Sequence, residues 1–377
     1  MIKKEKSEKM ESKLDELAKK IVNYSVKVNV NERVLINTYV NDNFFIKRLI
    51  YYITLNKGIP FVRINDESIN SYLLETANEN RYQEIKQHGL DDVNNYDIFI
   101  NIRYTTNDYS KKNINENTLK NIALITKESD YIRINERKWV LLNYPSNVDA
   151  YKAKMTTDTY KNYALDVMIF DYEKMSNDIA PLKKLMEQTD IVRITGPNTD
   201  IEFSIKNIPV IPCVGEANLP DGEIYTAPVR ESVNGLITYN TPSPYNGNIY
   251  HKVSLLFKDG KIVEAKCDEN NEEINKIFNT DEGARYVGEF SFGLNPLIRN
   301  PMGDILYDEK IIGSIHFTPG QAYKDAYNGN DSGIHWDLFL IQREEYGGGE
   351  IYFDHTLIRK DGKFVLPDLL HLNYDLK

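Results

Sequence analysis

A chain of 377 residues is longer than one ordinary hydrophobic core accommodates, so two domains are expected. Hydrophobic residues at 41% and charged residues at 27% match a folded globular chain and exclude a disordered one. The formal net charge of -10 argues against a nucleic-acid partner, which calls for clustered Lys and Arg.

The first residues, MIKKEKSEKMESKLDELAKK, are charged throughout and hold no apolar stretch of the signal-peptide kind. Leu14, Leu17, Ala18, Ile21 and Val22 then recur at helical spacing. RVLINTY follows as a buried strand. NDNFFIKRLIYYITLNKG reads as a helix with Asn41 or Asp42 as N-cap and Gly58 as its stop. IPFVRI and, after another helical stretch, DIFINIRY are the next strands. This alternation predicts an α/β N-terminal domain with a mixed or parallel sheet, covering residues 1–207. DIVRITG and DIEFSI form a strand pair leaving it.

From about Gly215 the pattern changes to hairpins: GLITYNTP, IYHKVSLLFKDGKIVEAKC and EIYFDHTLIRKDGKFV. Two KDGK turns, at 258–261 and 360–363, carry the Asp-Gly hairpin signal. One helix, NEEINKIFN, interrupts the strands. Residues 208–377 are therefore expected to form a β-rich α+β C-terminal catalytic domain. No window reaches the ~18 apolar residues of a membrane span, so no membrane partner is expected. Cys213 and Cys267, the only cysteines, supply neither a disulfide framework nor a CxxC knuckle, which points to a reducing, cytoplasmic compartment.

Groups able to bind a metal crowd the second domain. NDSGIHWD places His335 and Asp337 two residues apart, on one face if the stretch is extended. His316 lies in GSIHFTPG among apolar residues. Glu223 in NLPDGEIYTAP and Glu289 in RYVGEFSFGLNP each follow a glycine and precede an apolar residue. A carboxylate beside buried strand residues needs a positive partner, and a divalent cation is one. A lone strand histidine is more often a hydrogen-bonded core residue, Glu223 could simply cap a turn, and Glu289 could sit at a strand start on the surface. The conjunction favours metal, because carboxylate plus imidazole suits zinc, cobalt or manganese.

In their order and with similar gaps, NLPDGEIYTAP, GARYVGE, LYDEK, HFTPGQAY and NDSGIHWD resemble the thermophilic-type metallo-aminopeptidase family, the aminopeptidase T and aminopeptidase S type. The likeness covers residues 205–365, and runs more loosely through VLIN, the Gly58 turn, KWVLLNYPS and GPNTDIEFSI. The resemblance implies Glu223, Glu289, His316, His335 and Asp337 as ligands of two divalent ions (Zn, Co or Mn), with a metal-activated hydroxide releasing N-terminal residues from peptides. Glu289 would bridge the ions and take part in proton transfer. Tyr323, seven residues beyond His316, would stabilise the oxyanion. Glu309 would be a further ligand. It lies seven residues before His316, a longer gap than in the family's better-known members, and Lys310 stands where they have Asn. The segment between His316 and His335 is also shorter, and HFTPG replaces HIALG-like sequences. A homodimer is implied as well, with the first domain serving access and dimerisation. His355, on the closing hairpin, reads as structural.

Two other readings remain open. His316, His335 and Asp337 alone would suit a mononuclear iron dioxygenase that opens dihydroxypyridine rings, a distant branch of the same superfamily. A non-catalytic binding relative would keep the fold with a degenerate site.

Overall fold

The computed structural model of the chain describes residues 2–107, 109–110 and 112–374. Contacts group them into two compact units. The first contains 1–170 and 215–220, and the second 171–214 and 221–377. The helix Tyr172–Gln188 and the strand pair after it thus belong with the second unit, ahead of the join expected at 207/208.

In the first unit five strands form a sheet in the order Ile59–Ile64, Arg33–Thr38, Ile98–Arg103, Lys138–Asn143 and Asn218–Leu219. Every pairing in it is parallel. Parallel strands need helical crossovers, which cover both faces, so the inner strands read as near-continuous apolar runs. Val34, Leu35 and Ile36 are all buried, as are Ile98, Phe99 and Ile100. On one face Leu35 and Phe99 pack with Val93 of the helix Glu79–Asn95. The helix Asn43–Leu55 starts where the Asp42 carboxylate accepts from the Phe45 N–H, and it buries Phe45, Ile46, Leu49, Tyr52 and Ile53. Its stop differs from the expectation in one detail. The helix ends at Leu55, and the residue in left-handed conformation is Lys57 (φ 62°), one before Gly58.

Besides a two-stranded hairpin, Ser243–Tyr245 with Asn248–Tyr250, the described residues of the second unit form two larger antiparallel sheets. One has eight strands, in the order Lys261–Lys266, Ser254–Lys258, Asn234–Thr238, Thr199–Ser204, Ile191–Gly196, Glu350–Phe353, Thr356–Lys360 and Lys363–Phe364. The other has five: Phe339–Ile341, Ser314–Pro319, Val287–Gly293, Glu223–Thr226 and Ile211–Cys213. Both KDGK turns close hairpins, with Asp259, Gly260, Asp361 and Gly362 all at positive φ as a type I′ turn requires.

Phenylalanines join the sheets. Phe203 of the eight-stranded sheet lies with its ring centroid 5.0 Å from Phe290 and 4.9 Å from Phe317, both on the five-stranded sheet. Phe292 meets Phe353 and Phe364 in the same layer. Because successive strand residues face opposite sides, burying Phe290 and Phe292 turns Glu289 and Ser291 to the other face. Likewise Phe317 turns His316 and Thr318 outward from that core. The packing of the core therefore chooses the face on which the polar residues gather.

Candidate metal centre

Register brings those residues together. Ser291 stands opposite His316 on one side and Tyr225 on the other, Gly293 stands opposite Glu223, and Glu289 stands opposite Thr318. Their strands are far apart in sequence yet adjacent in the sheet, so Glu223, Glu289 and His316 share one patch. A bulge at Gly288 aims Glu289: Val287 pairs with Pro319 and Glu289 with Thr318, leaving one residue extra. A Cβ at Gly288 would lie 2.4 Å from the Gln321 carbonyl oxygen, so only glycine fits. Gly320 does the same for His335. It bridges to His335 with φ at +111°, and a Cβ there would sit 2.1 Å from the Ile334 carbonyl oxygen.

The outcome is two overlapping sets of ligand atoms. One atom each from Glu223, Glu289 and His316 lie within 4.8 Å of one another, and so do one each from Glu289, His335 and Asp337. Glu289 belongs to both. Its Oε1 is 3.0 Å from Nε2 of His316, whose Nε2 is also 3.4 Å from Oε2 of Glu223. Nε2 of His335 is 3.2 Å from Glu289 Oε2 and 3.2 Å from Asp337 Oδ1. Although both are near, neither is aligned as a hydrogen bond, and this buried nitrogen is left without one. A nitrogen set between two carboxylate oxygens, aligned with neither, is in the position of a ligand to a cation.

Two further expected residues stand beside the triads and not within them. Glu309 follows the short helix Ile305–Asp308 and joins neither triad. Its Oε2 instead accepts from Nζ of Lys310, which also donates to Oε1 of Glu223 at 2.9 Å. Tyr323 packs its ring on His335, with centroids 4.7 Å apart, while 46% of the residue is exposed. His355 lies outside the cluster, in a turn at φ 70°.

The electrostatics follow from an excess of carboxylates. Burial alone would drive His316 toward its neutral form, but Glu289 and then Glu223 outweigh it and raise its pKa to about 9. His335 is likewise carried well above the ordinary histidine value against burial, chiefly by Asp337. Burial would raise Asp337 and Glu289; the two imidazoles hold both below the usual carboxylate range. Glu309 is pushed up to about 8, by burial first, with Lys310 opposing and Asp337 and Glu223 adding to it. Burial lowers Lys310, but Glu223, Glu309 and Asp221 lift it well above a normal lysine. For Tyr323, desolvation and then Glu289 and Asp337 raise the pKa strongly, so it stays a hydrogen-bond donor at neutral pH.

Several participants were not singled out from sequence. The Ser291 hydroxyl donates to Glu223 Oε2 at 3.2 Å, and Thr318 donates to Asp337 Oδ1 at 2.8 Å. Cys213 and Asp221 offer atoms within 4.8 Å of Glu223. Asp221 is set by its backbone: its N–H donates to the Tyr172 hydroxyl at 2.9 Å, and its carbonyl accepts from Asn295 at 2.8 Å. Lys310 had shown only as a replaced asparagine. A charge inside the apolar run LYDEKIIGSIHF was the available signal.

The thermophilic metalloprotease (M29) family model matches residues 10–364. The chain is 30% identical over 167 residues to aminopeptidase T of Thermus thermophilus, 40% of each chain. It is 28% identical over 208 residues to aminopeptidase PepS of Streptococcus thermophilus, 48% of this chain and 50% of that one. The chain thus spans about two fifths to one half of the length of these curated relatives. Among solved structures, AmpT from Thermus thermophilus superposes with a TM-score of 0.78 over 94% of this chain and 99% of that one, at 17% identity. The 2,5-dihydroxypyridine dioxygenase of Pseudomonas putida KT2440 superposes at 0.59 over 95% and 99%, at 12% identity. These two likenesses are of fold. With a family match over nearly its whole length, the chain belongs to the thermophilic metalloprotease (M29) family.

Proposed function

We propose that the chain is a metal-dependent aminopeptidase that removes residues from the free N-terminus of peptides. The observation that carries this reading is the Glu289 carboxylate, shared between two imidazole–carboxylate sets on one buried face. Family membership and the fold of AmpT support it. Mixed imidazole and carboxylate donors suit zinc, cobalt or manganese. A divalent ion held there supplies Lewis-acid polarisation of a peptide carbonyl and acidifies water.

The remaining roles fall to side chains. In this reading Glu289 accepts a proton from the attacking water and returns it to the departing amine, so that no net proton is lost. Tyr323 donates a hydrogen bond to the oxygen that becomes negative. The surplus of carboxylates favours a substrate whose end carries a positive charge, as a free α-ammonium does. A homodimer working in the cytoplasm belongs to the same reading and rests on the family resemblance and the scarcity of cysteine. Among the described residues no helix is long and apolar enough to cross a membrane.

The fold shared with a dihydroxypyridine dioxygenase keeps ring opening as the alternative, with His316, His335 and Asp337 on iron. Glu223 and Glu289 lie against those same groups, and a triad on one ferrous ion does not require them. Hydrolysis of aminoacyl-p-nitroanilides, compared with their N-acetylated counterparts, tests the proposal. Cleavage of the free-amine series alone is expected; equal cleavage of both, or of neither, counts against it.

A further inference from the structure

The two sets of ligand atoms are not equivalent. Around His335 two of the three ligands, His335 and Asp337, are held by a further hydrogen bond. The Gln321 carbonyl, 2.8 Å from Nδ1, accepts only an N–H, so Nδ1 keeps its proton and Nε2 is the atom that a cation would take. Asp337 is held by the Thr318 hydroxyl. Around His316 the bracing is missing. Among the described residues its buried Nδ1 has no hydrogen-bond partner, and none fixes the tautomer that would leave Nε2 bare.

The carboxylate facing His316 is also occupied. Glu223 accepts from Lys310 on one oxygen and from Ser291 on the other. Lys310 is fully buried. Its N–H donates to the Tyr307 carbonyl and its own carbonyl accepts from the Asn295 N–H, each at 3.0 Å, so the backbone beneath the ammonium is anchored. The ammonium bridges Glu223 and Glu309, which supplies the positive partner that buried carboxylates need.

We propose that the Lys310 ammonium stands in for a second metal ion, and that each chain holds one divalent ion, on Glu289, His335 and Asp337. The inference rests on the metal-centre reading above and departs from the ion pair that the sequence resemblance implies. A fixed positive charge at hydrogen-bond distance from Glu223 repels a dication offered to the same carboxylate, and a poorly solvated setting strengthens that repulsion. Glu309, engaged by the same ammonium, is drawn out of the ligand set.

The test counts ions. Full-length protein is stripped with a chelator, reloaded with excess Zn²⁺ and gel-filtered, and zinc per chain is measured by elemental analysis. One zinc is expected in the wild type and two in Lys310→Met and Lys310→Asn, where the second ion should bind at least about tenfold more tightly. Two zincs in the wild type, or none, overturn the proposal, as does one zinc in wild type and lysine variants alike. Glu309→Gln should keep its zinc; losing it would make Glu309 a ligand and overturn the proposal too. Circular dichroism establishes that each variant folds. If neither lysine variant does, calorimetric titration of the wild type with Co²⁺ decides: a one-site isotherm supports the proposal and a two-site isotherm overturns it. Peptidase activity is read on the same samples. One zinc with no activity at any loading removes the peptidase reading and leaves the single-ion proposal standing.

Discussion

Nε2 of His335 lies 3.2 Å from Oε2 of Glu289 without the alignment of a hydrogen bond. The other oxygen of the same carboxylate is 3.0 Å from His316. One side chain therefore joins both halves of the centre, and its replacement by the neutral isostere is the most informative single change. Glu289→Gln is expected to lower kcat by about 10²–10⁴-fold while circular dichroism stays that of the wild type. Wild-type turnover in this variant would remove Glu289 from the mechanism.

Tyr323 offers a milder test. Its ring packs on His335, so Tyr323→Phe keeps the packing and deletes only the hydroxyl. A donor that acts on developing negative charge affects kcat more than KM, and a loss of about 10²-fold in kcat with little change in KM is expected. An equal rise in KM with kcat untouched would make it a binding residue instead.

Metal affinity should depend on pH, with a sign that the carboxylates set. In chelated protein His316 holds its proton up to about 9, and His335 is raised as well. Binding a cation at His335 must expel its proton, so affinity is expected to rise with pH across the neutral range, by roughly one log unit per pH unit. The same shifts act on stability in the opposite sense. Because the folded values exceed the unfolded one near 6.5, the chelated protein has this contribution in full below about 6.5 and loses it as pH climbs through about 9. Metal titrations by calorimetry between about pH 6 and 9, with denaturant midpoints on chelated protein, check both. A flat affinity profile would contradict the first.

Gly288→Ala probes the bulge. A methyl group 2.4 Å from the Gln321 carbonyl forces the strand or the loop to move, for about 1–3 kcal/mol of stability. Since Glu289 is the next residue, metal retention should fall along with the denaturant midpoint. A variant as stable and as metal-competent as wild type would show that the bulge does not aim Glu289.

Much of this arrangement was legible in the chain itself. The alternation of apolar runs and helices in the first half predicted a mixed or parallel sheet, because strands covered on both faces lose their polar positions, and every pairing is parallel. The second half showed its hairpins through two Asp-Gly turns. Glu223, Glu289, His316, His335 and Asp337 could be picked from ordered motifs, and the structure gathers them into two overlapping triads that share Glu289.

What stayed hidden depends on pairing across distance. Lys310 is bonded to a carboxylate 87 positions away, and a lysine next to a glutamate reads as a solvated pair until the strands close over it. The allegiance of the helix Tyr172–Gln188 is hidden for a similar reason. Its periodicity shows that one face is buried, but not which neighbour buries it. Residues 215–220 return to the first unit as a two-residue strand beside Lys138–Asn143, too short to leave a pattern.

The account is tested most directly by one assay run three times on the same preparation: hydrolysis of aminoacyl-p-nitroanilides before chelation, after it, and after adding back Zn²⁺, Co²⁺ or Mn²⁺. Release of p-nitroaniline that disappears with the chelator and returns with at least one of these ions is the expected result. Activity that persists in the stripped protein, or that no ion elicits, would contradict a peptidase built on Glu289, His335 and Asp337.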